Sequence, residues 1–118
     1  MKERNNPLLD KTLDFSVDIV TFYKNVLDTN QDKTLATQLL RSATSVGANV
    51  QEAIGAISKA DFISKLHIAL KEINETIYWL QVFDRTPLYK HNFRDLLTKA
   101  IEIKKIITAS IKTAKSDT

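Results

Sequence analysis

The sequence predicts an all-α protein: an antiparallel up-down-up-down four-helix bundle formed by residues 1–118 as one domain. Three observations predict it. Apolar residues recur at spacings of three and four along four segments, the period of an amphipathic helix. The breaks between the segments are short and polar, so consecutive helices run antiparallel. Glycine and proline number only two each in 118 residues, too few for a set of strands joined by tight turns.

The first helix is expected over about residues 8–27. Asn6 is placed to cap it, and Pro7 suits the first helical position, where its missing N–H has no helical partner anyway. Its apolar residues, among them Leu13, Val17 and Val20, cover more than one narrow stripe. The following break, Asp28-Thr29-Asn30-Gln31-Asp32, has the D-x-N-x-D spacing that opens a calcium-binding EF-hand loop. Lys33 stands where that loop needs glycine and Leu39 where it needs a bidentate glutamate, so the segment reads as an interhelical turn.

The second helix is expected over about 34–57, with Leu39, Ala43, Val46, Val50, Ala53 and Ile57 on its apolar face. Its small residues, Gly47 and Ala48 among them, let a neighbouring helix approach closely. Ser58-Lys59-Ala60-Asp61 resembles a capping box and opens a third helix over about 59–84, with Leu66, Ala69, Ile73 and Leu80 in its core stripe. Pro87 interrupts the next connection. The fourth helix is expected over about 92–114, with Phe93, Leu96, Ala100, Ile103, Ile107 and Ile111 on one face, and the tail Lys115-Ser116-Asp117-Thr118 is expected to fray. Helices of 20 to 26 residues are roughly 30–39 Å long at 1.5 Å per residue.

Composition narrows the chemistry. With no cysteine there are no disulfides and no thiolate ligands or nucleophiles. The two histidines, His67 and His91, stand in no ligand spacing. Di-iron bundles use Glu-x-x-His pairs, but Glu72-Ile73-Asn74-Glu75 has no histidine at its fourth position. Ser42 and Ser45 fall inside a helix rather than on a nucleophile elbow. No catalytic residue, metal, cofactor or small-molecule substrate is therefore expected. The N-terminal run Met1 to Pro7 has charges but no apolar stretch behind them, and no run approaches the roughly 18 apolar residues of a membrane span. The expected location is the cytoplasm, without membrane contact.

Charge is unevenly spread. Residues 1–84 carry nine basic and eleven acidic side chains, and residues 85–118 carry eight basic and three acidic. Arg94, Lys105 and Lys112 share one stripe of the fourth helix, bordered by Lys104 and Lys115. Such a line can track phosphates of RNA or of a nucleoprotein through backbone charge, since no groove-reading motif accompanies it. The alternative is an adaptor for another protein, with these lysines merely solvated.

Two further stripes bear on assembly. Gln38, Arg41, Ser45, Asn49 and Glu52 fall within an arc of roughly 80° beside the apolar face of the second helix. On the third helix Ile68, Glu72, Glu75, Tyr78 and Trp79 gather opposite the core stripe. Large aromatics there suit an interface, and the doubly apolar first helix also asks for a second subunit. Arg41 is the natural ion-pair partner of Glu72 or Glu75, within or between subunits.

The run from Gln38 to Ala53, with Arg41-Ser42-Ala43-Thr44-Ser45-Val46-Gly47-Ala48-Asn49 at its centre, resembles the signature of the bacterial four helix bundle protein family, also described as proteins of 23S ribosomal RNA intervening sequences. A second similar run goes from Asp61 to Thr76 and on into Tyr78-Trp79-Leu80. With the flanking helix pattern the resemblance covers about residues 8–114. It implies a four-helix bundle assembled into a ring-like homopentamer, in which Tyr78, Trp79 and the polar stripes are packing and interface elements. The family is in turn similar to the accessory protein of diversity-generating retroelements, a basic pentameric bundle that binds a reverse transcriptase and nucleic acid. The resemblance brings no catalytic residues with it.

Overall fold

The structure, a computed structural model, describes residues 6–117. Four helices account for nearly all of them: α1 (Pro7–Asp28), α2 (Thr34–Ile54), α3 (Lys59–Arg85) and α4 (Phe93–Ser116). There is no strand among the described residues. The expectation about the N-terminal charges concerns residues 1–5, outside the described residues, as does Thr118.

The helix ends follow from local chemistry. The Asn6 side chain accepts from the Leu9 N–H at 3.0 Å, with Pro7 in the first helical position. At the other end of α1, Asn30 adopts φ 55°, a left-handed conformation that asparagine tolerates. This lets the Gln31 N–H reach the Val26 carbonyl and the Asn30 N–H reach that of Leu27, which closes the helix with a Schellman motif. Asp32 then accepts from both the N–H and the hydroxyl of Thr34, at 3.0 and 2.8 Å, and these bonds hold its carboxyl below the usual carboxylate range. Ser58 caps α3 by accepting from the Asp61 N–H, and Asn92 caps α4 by accepting from the Asp95 N–H.

Two boundaries differ from expectation. α2 ends at Ile54, not at residue 57. Gly55 is a poor helix former, and Ser58 must be extended (φ −149°) for its side chain to cap α3. Ile57, expected on the apolar face, is 97% exposed. At the C-terminus, Lys115 and Ser116 are helical rather than frayed.

Each helix packs on its chain neighbours, and α4 returns to α1. Neither diagonal pair brings its backbones close among the described residues, so the helices stand at the corners of a prism measuring 50 × 30 × 20 Å, with large side chains such as Phe22 of α1 and Phe83 of α3 meeting across its axis. The α2–α3 contact is the most extensive and α1–α4 the least. The core runs along the prism axis through Phe15 and Ile19, Leu39 and Val46, Ile73 and Leu80, Ile103 and Ile107, all almost fully buried. Each such side chain contributes roughly 1.5–3 kcal/mol by leaving water. At the loop end, Phe22, Phe83 and Phe93 meet with ring centroids 5.3 Å apart. Tyr89 closes this end, its ring against Phe83 and its hydroxyl donating to the Asp32 carbonyl at 3.2 Å.

Three polar side chains are buried in this core, and all are satisfied. Thr12 donates to the Leu9 carbonyl. Ser42 and Thr76 face each other across α2 and α3 with hydroxyl oxygens 2.9 Å apart, and Thr76 also reaches the Glu72 carbonyl at 2.8 Å.

Candidate functional site

Two arrangements collect the sequence-nominated residues. The first is a charged cluster on the α2–α3 face. Arg41 Nη2 stands 2.5 Å from Glu75 Oε2, and Arg41 Nη1 stands 3.6 Å from Glu72 Oε1. The Trp79 indole N–H donates to the same Glu75 oxygen at 3.0 Å. This hydrogen bond, followed by the one from Arg41, holds the Glu75 carboxyl below the usual range, and Glu75 in turn raises the Arg41 guanidinium. The pairing is made within one chain.

The placement of the α3 stripe opposite the core needs correction. Glu72, Glu75 and Trp79 lie beside the core and toward α2, and the Glu72 side chain is only 16% exposed. Residues 72 and 79 are seven apart and share a flank adjoining Thr76 and Phe83. Only Ile68 and Tyr78 of that stripe are classed as exposed, Tyr78 at 58% with its ring against Trp79, centroids 5.2 Å apart. The α2 stripe is spent on local contacts. Ser45 donates to the Arg41 carbonyl, Asn49 donates to the Ser45 carbonyl, and Glu52 stands 3.5 Å from Lys65.

The second arrangement is the basic face of α4, and here the structure divides the nominated residues. Arg94 is largely exposed and is paired with Asp84 at 2.7 Å across the α3–α4 seam. Lys104, Lys105 and Lys112 line an outward-facing groove between α4 and α3, and Lys115 follows one turn on. Among the described residues no carboxylate lies within 4 Å of any of these four ammonium groups. Several other cations are matched, Lys99 with Asp18 and Asp95 at 2.8 and 3.2 Å and Lys11 with Glu102 at 3.3 Å, whereas Lys33, Lys59, Lys71, Arg85 and Lys90 share the lack of a carboxylate partner among the described residues. Asp18 and Asp95 raise Lys99 above the ordinary lysine range.

Sequence reasoning missed the floor of this groove. Ile77 of α3 and Ile101, Thr108 and Ala109 of α4 lie between the lysines. Ile77 reads as core from its spacing, and it is only partly buried. Ile101 precedes Lys104 and Lys105 by three and four residues, and that spacing is the signal that places it on the same side. Among the described residues no group of three metal-ligating side chains converges. No helix among them is long and apolar enough to cross a membrane.

Comparison with known proteins agrees with this architecture. Among curated proteins none matches the chain. A solved structure of a protein with unknown function from the S23 ribosomal protein family of Bacteroides thetaiotaomicron VPI-5482 is 43% identical, with a TM-score of 0.84. The match covers 89% of this chain and 98% of that one. The family model of the 23S rRNA-intervening sequence protein matches residues 4–109, which takes in α1 to α3, most of α4 and both nominated motifs. With the Arg41–Glu75 cluster and Lys104 and Lys105 inside that span, and Lys112 and Lys115 beyond it, the chain belongs to the 23S rRNA-intervening sequence protein family.

Proposed function

We propose that this protein is a non-enzymatic, homo-oligomeric scaffold of the cytoplasm that holds RNA, alone or within a nucleoprotein, on the lysine face of α4. The observation that carries the reading is the set of four lysines, Lys104, Lys105, Lys112 and Lys115, without carboxylate partners among the described residues. From Lys104 to Lys115 they span about 16 Å of helix at 1.5 Å per residue, enough to meet successive phosphates of one strand. Arg94 is left out because Asp84 neutralises it.

Self-association is supported by α1. Leu13, Val17, Val20 and Leu27 are exposed on its outer side at spacings of four, three and seven. Val17 is 56% exposed. A continuous apolar stripe of this kind is what subunit contacts cover. It points away from the α3–α4 groove, so a ring of five copies, the number the family resemblance implies, leaves the lysines open.

The test is a fluorescence-anisotropy titration of nuclease-treated protein with a structured RNA at several salt concentrations. Affinity is expected to fall linearly on logarithmic axes, by roughly 0.7–0.9 per phosphate contacted. Reversing Lys105 and Lys112 to Glu should flatten that slope while oligomeric state is kept. No binding at low salt would overturn the reading and favour a protein-binding adaptor.

A further inference from the structure

Two outward surfaces of this chain are apolar at their centres and carry opposite, unpaired charges. The first is the groove between α1 and α2. Leu13, Thr44, Gly47 and Ala48 line it, and it holds about 330 Å³. A longer side chain at Gly47 or Ala48 would fill it. Leu13 on its rim is 61% exposed. Asp10 stands at the same groove, with no cation within 4 Å among the described residues. The second surface is the outward side of α3. Ile68, Lys71 and Tyr78 share it at spacings of three and seven, and all three are exposed. The Tyr78 ring leans on Trp79, toward α2, and Trp79 is itself tied to Glu75. A projecting ring braced in this way loses little further freedom on docking. Lys71 lies between the two apolar side chains, with no carboxylate within 4 Å among the described residues.

Each surface supplies what the other lacks. The groove offers apolar volume and an anion, and the ridge offers an aromatic ring, a branched aliphatic side chain and a cation. An aromatic anchor seated in a pocket, with charges at the rim, is how protein interfaces concentrate their binding energy. α1 and α3 stand at opposite corners of the prism, so the two surfaces meet only between copies. Because they differ, the contact is head-to-tail and not a two-fold match of one patch with itself. Resting on the self-association read above, we propose that the α1–α2 groove is the socket for a second copy of this chain, which seats the Ile68–Tyr78 ridge of its α3 there with its Lys71 facing Asp10.

The experiment is analytical ultracentrifugation of the full chain as wild type, Ala48→Arg, Tyr78→Glu and an equimolar mixture of the two variants. Ala48 and Tyr78 are both exposed, so each variant should keep its helical circular dichroism. Ala48→Arg fills the socket and Tyr78→Glu removes the anchor, so each alone should sediment as a monomer where wild type is assembled. In the mixture, the intact socket of one variant meets the intact ridge of the other. That makes one contact and no second, so the expected mass is twice the monomer and no more. A Tyr78→Glu protein that assembles like wild type, or a mixture that stays monomeric, overturns the head-to-tail contact and leaves self-association standing. A monomeric wild type overturns the self-association reading and this contact with it. Should either variant lose its helical signal, charge reversal carries the test. Asp10→Lys and Lys71→Asp should each weaken assembly, and the double reversal should restore it. No restoration overturns the proposal.

Discussion

The guanidinium of Arg41 on α2 and the carboxylate of Glu75 on α3 meet at 2.5 Å, and this pair bridges the two most extensively packed helices. The same carboxylate oxygen takes the Trp79 indole N–H, and the other arm of the guanidinium reaches toward Glu72. Glu72 Oε1 is buried without a hydrogen-bond partner, so Arg41 is the charge that makes its burial tolerable.

Arg41→Ala should therefore destabilise the protein, because it leaves the half-buried Glu72 and Glu75 carboxylates without the positive charge that faces them. The side chains of Glu72 and Glu75 are 16% and 32% exposed, so water compensates only in part. Denaturant unfolding at fixed protein concentration measures the change. An unchanged midpoint would show that the pair carries no structural weight.

Acid should weaken this cluster. Glu75 is held below its ordinary value by Trp79 first and Arg41 second. A carboxyl whose folded value lies below its unfolded one contributes stability that is present above the unfolded value, about pH 4.3. That contribution is lost as pH falls through the folded value. Trp79→Phe removes the indole donor and should raise the Glu75 midpoint in a carbon-13 carboxyl NMR titration. No movement of that midpoint would contradict the assigned cause.

Gly47 sits inside α2, where glycine costs helix stability. A β-carbon placed there would meet Ser16 Oγ and Thr12 Cβ at 3.5 Å, an ordinary contact. Gly47→Ala is expected to stabilise the fold by about 0.5–1 kcal/mol through helix propensity alone. A fall in thermal midpoint would mean that the α1–α2 approach has no room for the added methyl group.

Val17→Glu puts a charge in the middle of the exposed α1 stripe. Because Val17 is not in the core, the bundle should keep its helical circular dichroism while the proposed oligomer dissociates in analytical ultracentrifugation. Unchanged sedimentation would contradict the proposed subunit contact on α1.

The sequence by itself determined the helices. Periodic apolar residues, capping side chains at Asn6, Ser58 and Asn92, and polar breaks are local signals, and local hydrogen bonding reads them almost directly. It also nominated Arg41, Glu72 and Glu75 as partners, because opposite charges on helix flanks bordering a core have few other ways to be buried. Only the tertiary structure decided what each flank faces. A helical wheel gives an angle but no neighbour, so Glu72 and Trp79 read as opposite the core although α2 packs against them. The same packing neutralised Arg94 with Asp84, left Lys104, Lys105 and Lys112 unpaired, and laid Ile77 and Ile101 between them as a floor. Whether a charge is free depends on residues distant in the chain, and that information exists only once the helices are side by side.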